Sequence, residues 1–156
     1  MSISIDQIKK LRTQTKAGIM EVRQALEETN GDMEAAKQWL QKRGLDKAAK
    51  KADRETGDGL IGVYVHAGGK IGAMVKLGCE TDFVAKTEEF QTVAREVAMQ
   101  VASMNPENIE ELLKQSYIRD SKKTIEDLVK ETIAKLGENV KILEMSRLEI
   151  EQTPVC

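Results

Sequence analysis

The residues of this chain that could do chemistry are few, and their spacing does not form a catalytic or metal site. His66 is the only histidine, and the two cysteines, Cys79 and Cys156, lie far apart in the sequence. A metal site needs several His or Cys ligands at close spacing, which this pattern does not provide. No base lies near Cys79 in the sequence, so we interpret it as a small buried hydrophobic residue. We therefore expect no enzyme activity, no metal and no cofactor.

A glycine-rich segment, residues 57–62, formally matches the pattern G-x-G-x-x-G. In dinucleotide-binding proteins this pattern follows a strand and opens a helix, whereas here it follows a basic helix and opens a strand. We assign these glycines to a linker and to the start of a sheet. The phosphate-binding pattern G-x-x-x-x-G-K-[ST] does not occur, so we do not expect the chain to hydrolyse a nucleotide.

The segment from Cys79 to Lys86 is unusual because it places a phenylalanine in a short connection. Aromatic residues make up only 3% of the chain, and Phe83 is one of two phenylalanines. Two interpretations are open at this point. In one, Thr81 caps a helical turn and Phe83 packs into the core. In the other, Phe83 projects from the surface and fills a pocket of a partner protein, as aromatic anchors do.

Hydrophobic periodicity predicts three short helices in the first third of the chain. The first begins with a capping box at Ser4, and the second ends at Asn30. Asp32 is a favourable N-cap for the third helix, which we expect to end at Gly44. Alanines from Ala48 onward predict a further helical turn or two before a linker.

The period then changes from helical to alternating, which predicts an antiparallel sheet covered on one face by helices. The last strand loses its alternation near Glu144, which indicates a β-bulge. The predicted order is β-β-α-α-β. Strands are predicted at 60–66, 71–79 and 140–150, one helix opens at Lys86 or Thr87 and another at Thr124, and residues 107–120 are ambiguous.

Charge divides the chain at the same place as the change of period. Residues 1–54 carry 12 basic and 8 acidic residues, and residues 55–156 carry 12 and 18. We therefore predict a three-helix domain with a basic linker helix over 1–54 and an α+β core domain over 55–156. The basic stretch 42–54 is either a contact for phosphates or an acidic partner, or a solvated helix tail.

Nothing in the sequence indicates a membrane or a secretory location. No apolar run approaches the roughly 20 residues that span a bilayer, and the amino terminus lacks a basic segment followed by an apolar one. Two cysteines fit a reducing compartment. We expect a cytoplasmic protein.

The segment ETDFVA, residues 80–85, resembles the signature loop of elongation factor Ts, the guanine-nucleotide exchange factor of bacterial and organellar translation. Other segments resemble the same family and occur in the family's order. They are LRTQTKAGIM at 11–20, Ala25-Leu26 with Asn30-Gly31-Asp32, AAKKA at 48–52, and IAKLGEN at 133–139.

This resemblance implies a ubiquitin-associated-like (UBA-like) three-helix domain, a core of antiparallel sheet and helices, and elongation factor Tu with bound GDP as the partner. Asp82 and Phe83 match a pair that enters the partner near its Mg²⁺ site, displaces Mg²⁺ and GDP, and allows GTP to rebind. The residues expected to contact the partner are Arg12, Ile19, Met20, Thr81, Asp82, Phe83 and Val84.

The chain departs from the family pattern in three respects. Lys16 stands where a glycine is usual, and Ile19 where methionine is common. The long helical insertion after Met104 is replaced by about a dozen residues. Only one core module is present, so we expect a homodimer that supplies a second. Two alternative functions remain: an interaction module without exchange activity, and a ribosome- or RNA-associated protein. Direct nucleic-acid binding is not expected.

Overall fold

Three helices occupy the amino-terminal third of the computed structural model, which describes residues 2–151. They are α1 (Ile5–Thr15), α2 (Ile19–Glu28) and α3 (Met33–Lys50). The predicted capping box is present, because Ser4 Oγ accepts the Gln7 amide hydrogen at 3.1 Å and Gln7 Oε1 accepts that of Ser4 at 3.0 Å. Asp32 caps α3 as predicted. The apolar faces of these helices bury a small hydrophobic cluster: Leu11, Val22, Ala25, Leu26, Ala36 and Leu40.

The remainder of the described chain mixes strands and helices. The elements are β1 (Asp58–Val65), β2 (Ile71–Cys79), α4 (Asp82–Ala85), α5 (Glu88–Met104), α6 (Ile109–Lys114), β3 (Ser116–Tyr117), β4 (Asp120–Thr124), α7 (Ile125–Leu136) and β5 (Val140–Glu149). The α+β fold class that the periodicity predicted is confirmed.

Strands β1, β2 and β5 form an antiparallel sheet in which β2 is central. The pairing of β2 with β5 shifts register between Lys76 and Leu77, which leaves Leu143 as the extra residue of a bulge beside Glu144. This confirms the predicted irregularity. Helix α5 packs closely on the inner face, since a Cβ at Gly62 would lie 2.3 Å from the Ala94 carbonyl oxygen. Only glycine fits at this contact.

Helix α3 is longer than predicted, and the prediction that it ends at Gly44 is wrong. The helix continues to Lys50. At Gly44 it crosses α7, and a Cβ there would lie 3.0 Å from Cβ of Ala134. Glycine therefore acts here as a close-approach residue between two helices. The last turns of α3 place Ala48 in a second hydrophobic cluster, which is built mainly from residues of α5, α7 and the sheet.

The region that the sequence left ambiguous contains α6 and the β3–β4 hairpin. Gln100 is fully buried and secures the hairpin to α5: its Nε2 donates to the Ser116 carbonyl at 3.1 Å, and its Oε1 accepts the Ile118 amide hydrogen at 3.1 Å. The Tyr117 hydroxyl donates to Glu96 at 2.6 Å. These hydrogen bonds hold the hairpin, which lies in the short connection between α5 and α7, against α5.

The buried residues form two hydrophobic clusters, and α3 contributes to both. Because one uninterrupted helix joins the clusters, the structure offers no flexible segment between them at residue 44. The division into domains at 1–54 and 55–156 stays a prediction.

Candidate functional site

The connection after β2 is a single helical turn, α4, that presents a phenylalanine to solvent. Thr81 caps the turn, with its side chain accepting the Val84 amide hydrogen at 3.5 Å. Ala85 is buried beneath the turn, whereas the side chain of Phe83 is 81% exposed. The interpretation that Thr81 caps a turn is confirmed, and the interpretation that Phe83 packs into the core is wrong.

The two phenylalanines of the chain occupy opposite environments. Phe90 is completely buried in the second hydrophobic cluster, while the side chain of Phe83 is exposed to solvent. Leaving a phenylalanine exposed forgoes about 1.5–3 kcal/mol that its burial would contribute. Scattered exposed apolar residues are ordinary on protein surfaces. Phe83 differs because it lies on a turn that is capped by Thr81, next to a charged residue.

Asp82 provides that charge. Its carboxylate accepts a hydrogen bond from Lys86 Nζ at 2.9 Å, one helical turn further on. This hydrogen bond and the charge of Lys86 lower the pKa of Asp82 below its usual value. Both side chains are exposed, so the ion pair is readily exchanged for another cation or donor. Asp82 is therefore ionised at neutral pH beside the exposed phenyl ring.

A carboxylate just before the neighbouring strand β5 fixes this connection, since Cys79 at the end of β2 pairs with Val140 at the start of β5. Glu138 follows α7, and its Oε1 accepts the Thr81 amide hydrogen at 3.0 Å while its Oε2 accepts the Thr81 hydroxyl hydrogen at 2.7 Å. Glu80 accepts the Asn139 amide hydrogen at 2.8 Å. The loop is thus held on its amino-terminal side by two side chains.

The other predicted contact residues lie at the junction of α1 and α2. Arg12 is exposed in the last turn of α1, and its carbonyl accepts the Lys16 amide hydrogen at 2.8 Å. Lys16 ends the helix in the left-handed conformation, with φ of 58° and ψ of 11°. Ile19 and Met20 then open α2 with 52% and 73% of their surfaces exposed. An apolar pair and a guanidinium therefore face solvent around one tight turn.

The structure brings the predicted residues together in two groups and not in one. Arg12, Ile19 and Met20 belong to helices around the first hydrophobic cluster, and residues 81–84 lie against the second. Within residues 2–151, no hydrogen bond or ion pair joins the two groups. A surface that used both groups would contact a partner at two places.

Known proteins resemble this chain over nearly its whole length. A family model described as Elongation factor TS matches residues 80–155. Elongation factor Ts of Oleidesulfovibrio alaskensis is 41% identical, with 96% of this chain and 98% of that protein covered. The protein of the same name from Thermosipho melanesiensis is 43% identical over 90% and 94% of the two chains. This chain belongs to the elongation factor Ts family.

The relatives in this family carry residues that this chain lacks. The alignment with the Oleidesulfovibrio alaskensis factor runs over 194 positions, more than the 156 residues available here. Gaps therefore stand opposite this chain. The resemblance predicts a missing helical insertion in the region that α6 and the β3–β4 hairpin occupy.

Two residues that fix the family's signature loop were not predicted as site residues. Glu138 and Asn139 lie in a segment that resembles the family, but no role followed from their types. The available signal was their position directly after Gly137, a glycine with φ of 77° that ends α7. A helix end followed by two polar residues predicts a turn, and the partner of that turn becomes evident only in three dimensions.

The thiol of Cys79, the candidate nucleophile in the described part of the chain, is shielded from solvent. Cys79 is fully buried, its Sγ donates to the Thr81 carbonyl at 3.1 Å, and burial raises the pKa of the thiol. Between Ser2 and Glu151, no group of three or more His, Cys, Asp or Glu could hold a metal ion. Cys156 lies outside the described residues. No described helix is long and apolar enough to cross a membrane.

Proposed function

We propose that this chain is a guanine-nucleotide exchange factor for elongation factor Tu in translation elongation. It binds the GDP complex, displaces Mg²⁺ and GDP by inserting the Asp82-Phe83 turn, and leaves the partner free to bind GTP. The observation that carries this proposal is the exposed side chain of Phe83 on a fixed turn. Membership of the elongation factor Ts family supports it. The action makes and breaks no covalent bond, and it belongs in the cytoplasm, where the partner works.

The mechanism is thermodynamic linkage between the factor and the nucleotide. A factor that binds the nucleotide-free partner more tightly than the GDP complex must weaken GDP binding by the same ratio. A shift from mostly bound to mostly free GDP needs about 5.5 kcal/mol of differential affinity. Burying one phenylalanine supplies about 1.5–3 kcal/mol. The remainder requires a second contact, for which the exposed side chains of Arg12, Ile19 and Met20 are suited.

Asp82 and Phe83 would act on different components of the bound nucleotide. A phenyl ring inserted between the partner's helices separates the groups that position Mg²⁺, and GDP affinity depends on that ion. A carboxylate entering with the ring repels the phosphates or takes over one of their donors. Thr81 and Val84 hold the turn in which both side chains are presented.

The test is release of fluorescent GDP from purified elongation factor Tu at increasing concentrations of this chain. We expect the wild-type chain to accelerate release, and Phe83→Ala to reduce the acceleration about 10- to 160-fold, which corresponds to the loss of about 1.5–3 kcal/mol. Ile118→Ala is the matched control, because Ile118 is also exposed but lies in the hairpin. Unchanged release with Phe83→Ala would refute the insertion mechanism.

The same assay separates the proposed exchange function from its two alternatives, and a measurement of RNA binding separates the alternatives from each other. An interaction module without exchange activity would bind a partner and leave GDP release at its spontaneous rate. A nucleic-acid-binding protein that used the basic residues 42–54 would bind RNA with an affinity that falls steeply with salt. Neither alternative explains why the segment from Glu80 to Lys86 joins a strand to a helix in this form.

We also propose a homodimer through the outer face of the sheet. Val63 and Met74 lie opposite each other in the β1–β2 register and are 53% and 52% exposed. Ile61, Val65 and Leu148 extend this exposed apolar surface. A contiguous apolar sheet face is an unfavourable surface for a monomer. Sedimentation equilibrium should give a dimer for the wild type and a monomer for Val63→Lys; a wild-type monomer at micromolar concentration would refute the proposal.

A further inference from the structure

The turn after α7 contacts two other parts of the chain within a few residues. Gly137 directs the chain out of the helix, and Glu138 then accepts two hydrogen bonds from Thr81. Asn139 is almost completely buried. Its side-chain amide donates to the carbonyls of Ala52 at 3.3 Å and Arg54 at 2.7 Å.

The contacts continue on the other side of this turn. The Asn139 backbone amide donates to Glu80 Oε1 at 2.8 Å, and Arg54 lies 3.6 Å from the same carboxylate. Lys51 Nζ donates to the Gly137 carbonyl at 2.9 Å. We call the bonded set of residues 51–54, 80–81 and 137–139 the clamp. The clamp joins the segment after α3, the Phe83 turn and the end of α7.

The clamp stabilises the Phe83 turn, which is too short to be stable on its own. A helix of one turn has no stability of its own, because nucleating it costs more than one hydrogen bond returns. Phe83 makes no burial contact that would hold it, since its side chain is exposed. Both Glu138 oxygens bond to Thr81, so the residue that caps the turn is fixed by a charged acceptor. Hydrogen bonds to a carboxylate are about twice as strong as neutral ones.

We infer that Glu138 and Asn139 are positioning residues for nucleotide exchange, which hold the Phe83 turn in the orientation needed to enter the partner. This inference rests on the proposed function and extends it to residues that touch neither partner nor nucleotide. A preorganised turn inserts without paying the entropy of ordering at that moment. Loss of the clamp therefore slows insertion.

The kinetic consequence is specific to one step. The first encounter uses Arg12, Ile19 and Met20, which lie around the other hydrophobic cluster. Insertion of Phe83 follows and displaces the nucleotide. A weakened clamp should lower the maximal rate of GDP release and leave the half-saturating concentration of factor within about twofold, because an interaction needed only for displacement affects the rate and not the encounter.

Two substitutions at Glu138 should lower the maximal rate of GDP release to different extents. Glu138→Ala removes both acceptor oxygens, and we expect the maximal rate of release to fall about tenfold. Glu138→Gln retains one acceptor oxygen, and we expect an intermediate rate. Ile125→Val, at the opposite end of α7 and fully buried, is the control for a purely structural effect. It should lower the midpoint of thermal unfolding without changing release.

Amide hydrogen exchange measured by NMR provides the second readout. The Thr81 amide donates to Glu138, so Glu138→Ala should lose protection at Thr81 while amides in α5 keep theirs. A maximal rate within twofold of wild type for Glu138→Ala, or protection at Thr81 that does not change, overturns the inference. If the wild-type chain fails to accelerate GDP release, the proposed function fails instead, and the Thr81 amide still decides whether the clamp orders the turn.

Discussion

Lys16→Gly should stabilise the chain, although it removes a charged side chain and introduces the most flexible residue. Lys16 ends α1 with φ of 58°. The left-handed conformation costs a residue with a Cβ about 1–2 kcal/mol, and glycine adopts it freely. The greater freedom of glycine in the unfolded chain takes back about 0.5–1 kcal/mol. We therefore expect a net gain of about 0.5–1 kcal/mol.

Other contributions at this position are small. The Lys16 side chain is exposed and makes no hydrogen bond or ion pair to any residue between Ser2 and Glu151. The backbone bond from the Lys16 amide to the Arg12 carbonyl is kept in either variant. Glycine is also the preferred residue after a helix that ends in this conformation.

Urea unfolding monitored by circular dichroism measures the gain in the free energy of unfolding. In a thermal scan, the midpoint should rise by about 1–4 °C for a chain of this length. Lys16→Ala is the matched control, because alanine loses the same charge but keeps the Cβ. If Lys16→Ala stabilises as much as Lys16→Gly, the gain comes from charge and the argument from backbone strain is wrong. A loss of stability with Lys16→Gly also refutes it.

Two further predictions concern the core and the hairpin. Gly62→Ala should destabilise the chain by more than about 2 kcal/mol in urea unfolding, since its Cβ would lie 2.3 Å from the Ala94 carbonyl oxygen. Gly57→Ala, which has nothing within 4 Å, should change stability by less than about 0.5 kcal/mol; equal losses would refute the packing argument. Burial and the hydrogen bond to Glu96 raise the pKa of Tyr117. The folded pKa exceeds the unfolded value of about 10, so this stabilisation is complete below about pH 10 and declines as pH rises further. Tyr117→Phe should reduce that alkaline loss in unfolding measured at about pH 8 and pH 11, and an unchanged loss would contradict the assignment to Tyr117.

The elements of the fold could be predicted wherever a local signal decides the conformation. The capping box at Ser4, the helix start at Thr124, the N-cap at Asp32 and the alternating strands are such signals, and each is present in the structure. Gly44 was misread because a glycine near a helix end has two meanings. Only the position of α7 distinguishes a helix stop from a close approach of two helices.

The candidate site shows the same limit. The type and place of Phe83 left its burial open, because a loop phenylalanine can face the core or solvent without any change in local pattern. Glu138 was missed because its partner Thr81 is 57 residues away in sequence. Family resemblance supplied the residues proposed to contact the partner. Long-range hydrogen bonds explain why the turn that carries Phe83 has a defined shape.

Helix α3 has a mechanical consequence if the protein contacts its partner at two places, as proposed. Its 18 residues span about 27 Å, with Leu40 in one cluster and Ala48 in the other. Once one contact has formed, the second meets the partner at a high effective concentration and at a separation that a continuous helix does not relax. A flexible tether would let the partner bind both contacts undistorted. Under the proposed exchange function, a spacer that does not relax passes any mismatch in length to the partner, and the resulting strain favours opening of the nucleotide site.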